Sequence, residues 1–178
     1  VEFYNACKDV GIKPIIGCEL YTAPTTIYEK SAATKSCGHI VLLSKTTAGY
    51  HNLLKLASIA ATDGLYYKPR IDMDLLKKYH EGIICLSACL QGDIPAKLLA
   101  GDKEGAYAKA QELKDIFGED FYIELQYHGL EDQKKVLFPL IQLAKALDIQ
   151  LVATNDVHYV EKKDAFAQRV LMCMSMGK

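Results

Sequence analysis

The run "LVATNDVHYV" at residues 151–160 opens as an apolar, β-prone segment and delivers Asn155, Asp156 and His158 at its end. Side chains alternate across a strand, so this spacing predicts that Asp156 and His158 project to one side. A carboxylate oxygen beside an imidazole nitrogen is the start of a metal site, the oxygen suiting a bridging role and the nitrogen a borderline cation such as zinc. A strand-end turn with a hydrogen-bonded histidine fits the same two residues. Glu19 in "GCEL" places a carboxylate in an apolar run, where burial without a partner is costly, so it calls for a cation, a basic side chain or a place at the surface. Cys89 in "LSAC" reads, by itself, as a small packed thiol. His39 in "GHIVLL" reads, by itself, as structural. His51, His80 and His128 have no acidic or sulfur partner at useful spacing. "IELQYHG" sets Glu124, Gln126 and His128 on one face of a strand end, with Glu124 in a supporting or ion-pairing place. "GLYYKPR" interleaves aromatic and basic residues as a nucleic-acid loop does, and equally reads as a solvated loop with tyrosines packed on its base.

These residues need a scaffold that brings strand ends together. With 178 residues, half of them hydrophobic, the chain is long enough for one domain with a real core. A net charge of −1 with interspersed signs announces neither a nucleic-acid-coating surface nor a membrane-binding face. The six cysteines, at positions 7, 18, 37, 85, 89 and 173, lack the dense spacing of a disulfide scaffold and read as reduced thiols in a cytoplasmic protein. The chain starts "VEFYNACKDVG", already in helical periodicity, and stops within "AFAQRVLMCMSMGK". Both ends predict a fragment of something longer.

Helical and strand patterns alternate. A helix ending near Gly11 precedes the strand "IIGCELYTA", and a polar loop from Pro24 to Gly38 leads to the strand "HIVLLSK". A helix then follows with Thr46 or Thr47 as its cap, and Asp72 caps a short helix over "MDLLKKYH". "GIICLSAC" and "FYIELQY" are strands separated by helical "KEGAYAKAQELKDIFG", and the helix "DQKKVLFPLIQLAKALD" should be disturbed at Pro139. Strands apolar on both faces and separated by helices predict an α/β fold with a parallel sheet, whose reactive groups gather at the carboxyl ends of strands. Glu19, Cys89, Asp156 and His158 are placed there, whereas His39 begins its strand.

Taken in order, "EFYNACKDVGIKPIIGCELY", "HIVLLSKTTAGYHNLLKLAS", "GLYYKPRID", "GIICLSACLQGDIP", "FYIELQYHG" and "LVATNDVHY" resemble the polymerase and histidinol phosphatase (PHP) domain of bacterial DNA polymerase III alpha subunits. The resemblance spans the chain. It implies an incomplete, distorted (β/α)7 barrel of TIM type over residues 1–178, lacking its first strands, with the polymerase region downstream. It also implies a metal cluster at the barrel mouth, with Glu19 bridging, His39 and His158 supplying nitrogen, Cys89 sulfur and Asp156 oxygen. Glu19, Asp156 and His158 would then be the catalytic residues. The implied cofactors are zinc or manganese in this domain and magnesium in the absent polymerase site. The implied chemistry is metal-dependent 3′–5′ phosphoester hydrolysis beside DNA-directed DNA synthesis by the parent, and the implied partners are DNA, the other polymerase domains and replisome subunits. A free-standing phosphoesterase acting on a small phosphate, and a non-catalytic scaffold, are the alternatives.

Overall fold

The computed structural model describes residues 1–177. Helix α1 (Glu2–Asp9) ends where Gly11 takes a left-handed φ of 73°, letting the Ile12 amide bond back to the Cys7 carbonyl. Six strands follow among the described residues: β1 (Gly17–Thr22), β2 (Gly38–Ser44), β3 (Arg70–Ile71), β4 (Ile83–Leu86), β5 (Phe121–Leu125) and β6 (Gln150–Ala153). Between and after them lie α2 (Thr47–Thr62), α3 (Met73–Tyr79), α4 (Asp93–Leu99), α5 (Lys103–Phe117), α6 (Glu131–Ala146) and α7 (Ala165–Met176). The expected caps form: Thr46 accepts from the Gly49 amide and Asp72 from the Leu75 amide.

The strands make one open sheet in the order β3-β1-β2-β4-β5-β6. The sheet is mostly parallel, but β2 runs antiparallel to both β1 and β4. The expected parallel sheet is therefore mixed at one strand. The reason lies in the connection: residues 23–37 contain a single 3-10 turn and no crossover helix, so β2 returns directly beside β1. Strands β1, β3, β4, β5 and β6 share one direction, and the start of β2 lies at their carboxyl end. In that register Tyr21 faces His39 and Thr22 faces Gly38.

The core occupies one side of this sheet. Leu20, Ile40, Leu42, Cys85 and Ile123 project from the strands against Leu53 and Leu56 of α2, Leu76 of α3, Ile94 of α4, Ala106, Ala110 and Leu113 of α5, and Val136, Leu140 and Leu143 of α6. Helix α6 runs uninterrupted through Pro139, contrary to the expected disturbance. The carbonyl that loses its partner belongs to exposed Lys135, where water can satisfy it. The other side of the sheet carries Glu19, Tyr21, His39, Val41 and Glu124.

Candidate metal centre

Each donor reaches the mouth by a different local device. Glu19 is central in β1, opposite Val41, and alternation turns it away from buried Leu20. It is exposed, so the cost of burial does not explain it. His39 is 6% exposed, and its ring meets the Tyr21 ring edge-on with centroids 6.3 Å apart. Reversal of β2 is what brings this strand-opening residue to the carboxyl ends of the neighbouring strands. Cys89 follows the exit of β4, where Ala88 is held at φ 64°, a conformation that side chains with a Cβ seldom adopt. That bend is closed by the Gly92 amide bonding to the Cys89 carbonyl at 2.9 Å. A Cβ on Gly92 would meet the Ser87 carbonyl oxygen, so glycine is required for the close approach. The result is a contact of 3.4 Å between Cys89 Sγ and His39 Nε2.

Asp156 arrives from the segment after β6. That strand ends at Ala153, so alternation does not govern Asp156 and His158, although the two side chains still lie side by side. Asp156 lines a concavity of about 320 Å³ together with Glu19, His39, Cys89, Glu124 and Thr154. His158 does not line it: its side chain is exposed, with Nδ1 2.9 Å from the backbone oxygen of Asp156 and 3.8 Å from Asp156 Oδ1. Four of the five expected donors thus meet at one mouth, and the fifth sits on its rim.

Glu124, expected in a supporting or ion-pairing place, lines the concavity itself. The residue is 5% exposed; Oε1 accepts from the Thr154 hydroxyl at 2.7 Å, and buried Oε2 has no hydrogen-bond donor among the described residues. Gln126 donates to the same Thr154 oxygen at 3.3 Å and leaves its own buried Oε1 without a partner. Ser87 accepts from the Glu124 amide at 2.9 Å and ties this group to the β4 exit. The available signal was a glutamate inside "FYIEL", a strand otherwise fit for full burial. His128, by contrast, is exposed and pairs with Gln133.

The electrostatics favour a cation. Burial pushes the Cys89 thiol above its ordinary range; a backbone hydrogen bond at Gln91 opposes this, and the charges of Asp156 and Glu19 reinforce it. A cation would offset those carboxylates, favour the thiolate and, through a water bound to it, satisfy an orphaned oxygen such as Glu124 Oε2. Sulfur, imidazole nitrogen and carboxylate oxygen together suit a borderline divalent ion. Spacing is the counterweight: among the described residues, no three His, Cys, Asp or Glu side chains are close enough to a common point to hold one ion.

The PHP domain family model matches residues 1–128. Similar proteins include the DNA polymerase III subunit alpha of Treponema pallidum, 46% identical over 181 residues, an alignment covering 100% of this chain and 16% of the relative. The same-named protein of Borreliella burgdorferi is 46% identical over 179 residues, covering 99% and 16%. That of Aquifex aeolicus is 40% identical over 184 residues, again covering 99% and 16%. The chain therefore spans about one-sixth of the length of these curated relatives.

Proposed function

The chain belongs to the PHP domain family, and on that premise we propose that it is part of a DNA polymerase III alpha subunit in which it supplies a metal-dependent 3′–5′ phosphoesterase site. The parent polymerises DNA with magnesium in a region outside this chain, in the cytoplasm, among other replisome subunits. The relatives' shared name and whole-chain alignment support the first part. The observation that carries the second is the meeting of Glu19, His39, Cys89 and Asp156 at one mouth.

Zinc or manganese bound there would lower the pKa of water and polarise a phosphoryl oxygen. His39 and Cys89, already in contact, offer nitrogen and sulfur on one wall; Glu19 and Asp156 offer oxygen from two others. Glu124, held by Thr154, presents Oε2 as an acceptor for the O–H of a water, so it orients the nucleophile without needing to ligate. His158 completes the set if its ring turns inward from the rim. Hydrolysis of a terminal phosphodiester forms a bond from water oxygen to phosphorus and breaks the bond to the penultimate 3′ oxygen. That oxygen takes a proton as it leaves.

The test uses full-length protein purified without chelator. Stoichiometric zinc or manganese, together with removal of a mispaired 3′ nucleotide that is lost in His39→Ala, is the expected result. Protein with no bound transition metal and no manganese- or zinc-stimulated nuclease activity overturns the reading. In that case a non-catalytic scaffold holds, a second reading favoured by the wide spacing of the donors.

A further inference from the structure

The segment "GLYYKPR" is neither wholly solvated nor wholly packed. Arg70 is 0% exposed, and its guanidinium donates to the carbonyls of Gly64, Thr34 and Ile27 at 3.2, 3.0 and 3.2 Å. It therefore clamps the turn after α2 to the loop that joins β1 and β2. Tyr66 lies on this clamp, 5.0 Å from ring centroid to the Arg70 guanidinium carbon. The Tyr66 amide bonds to the Lys68 carbonyl at 3.1 Å and leaves Tyr67 at the apex, at φ 59°. A β-carbon at positive φ is strained, and here the surrounding hydrogen bonds maintain that strain in a side chain that remains 70% exposed.

Two cations flank the apex. Lys35 Nζ, on the loop that Arg70 holds, lies 4.4 Å from the Tyr67 ring centroid. Lys68 Nζ lies 4.0 Å from the ring centroid of Tyr21, whose other neighbour is His39. Neither lysine has a carboxylate within ion-pairing distance among the described residues. Lys68 is thus linked through Tyr21 and His39 to the wall of an acidic mouth that would itself repel phosphate.

We propose that Tyr67, Lys35 and Lys68 form a docking platform for the 3′ end of single-stranded DNA, which stacks a base on Tyr67, places backbone phosphates on the two lysines and aims the terminal phosphodiester past Tyr21 at the mouth. An exposed, pre-set aromatic ring with one free cation on it and a second on the neighbouring residue suits the holding of single strands without reading sequence. The platform deepens the phosphoesterase reading and rests on it for its purpose, but its binding requires no metal.

The experiment is photocrosslinking of the full-length protein in excess chelator, using an oligodeoxynucleotide with 4-thiothymidine at its last or penultimate 3′ position. Peptide mapping should find an adduct on residues 64–70. Half-saturation should be unchanged in Tyr67→Phe and weakened about tenfold in Tyr67→Ala, followed through any adduct remaining on this turn or on Lys35. Lys35→Ala and Lys68→Ala should each reduce the salt slope of half-saturation by about 0.7. Circular dichroism of each variant should match the parent, because none of these side chains is buried. Adducts confined to other regions, or half-saturation indifferent to Tyr67→Ala, overturn the proposal. Chelation keeps the two readings apart: adducts here in a protein that, without chelator, binds no transition metal and hydrolyses nothing with manganese or zinc would end the phosphoesterase reading alone, and metal-dependent hydrolysis without adducts would end this one alone.

Discussion

The two faces of the central sheet answer to different rules. The helix-covered face sets Ile40, Leu42, Cys85 and Ile123 against apolar side chains, and each residue there is explained by burial. The opposite face carries Glu19, His39 and Glu124 from the same sheet, with the buried oxygens Glu124 Oε2 and Gln126 Oε1 left unpartnered among the described residues. Burial thus accounts for the first face and fails for the second, which is what the proposed metal chemistry would require of it. Two cysteines from one stretch of chain make the point. Cys85 is fully buried among core residues, while Cys89, past the bend at Ala88, touches His39.

If the faces are separable, core damage should cost stability without altering the mouth. Leu42→Ala, at a fully buried strand position, should lower unfolding free energy by about 3 kcal/mol in urea titration while the metal affinity of the folded protein is unchanged. Loss of metal binding by the folded variant would show that the faces are coupled. The converse substitution is Glu124→Gln, which keeps the Thr154 hydrogen bond and removes a buried carboxylate. Metal-free protein should be as stable as the parent or more stable by about 1 kcal/mol, and its metal affinity should fall about tenfold. Marked destabilisation of the metal-free variant would make Glu124 a structural residue instead.

How much of this the residues disclosed follows the same division. The alternation of helices and strands, the caps at Thr46 and Asp72, and the apolar strands were legible because periodicity and capping are local signals. The direction of β2 was not, since hydrophobic pattern carries no strand polarity; the only hint was a connection too polar for a crossover helix. That reversal explains why His39, misplaced for a parallel strand, reaches the mouth. Alternation was the wrong warrant for Asp156 and His158, because β6 stops at Ala153 and both residues lie beyond it. Glu124 was visible as an anomaly in an apolar strand, but its partner Thr154 lies thirty positions away, beyond any local pattern.

A smaller and pH-dependent contrast separates the two thiols. Burial, with a further contribution from Glu124, pushes Cys85 well above its ordinary value of 9.0. The folded protein therefore holds that proton more tightly than the unfolded chain does. Its contribution to stability is complete below the unfolded pKa and is lost as pH rises through the folded one. Cys85→Ala should flatten the alkaline fall in stability above about pH 9, whereas Cys89→Ala should do so much less. In metal-free protein, Cys89 should be alkylated slowly at neutral pH and faster as pH rises. Glu19→Gln or Asp156→Asn should speed that reaction by removing a charge that disfavours the thiolate. Alkylation unaffected by either substitution would place those carboxylates too far from Sγ to act in a common site.

The most direct test is cobalt titration of metal-free full-length protein, read by the near-ultraviolet charge-transfer band of a cobalt–thiolate bond. The account predicts a saturable band that vanishes in Cys89→Ala, weakens in His39→Ala and survives in Cys85→Ala. A protein that gives no such band, or one whose band persists without Cys89, would contradict it.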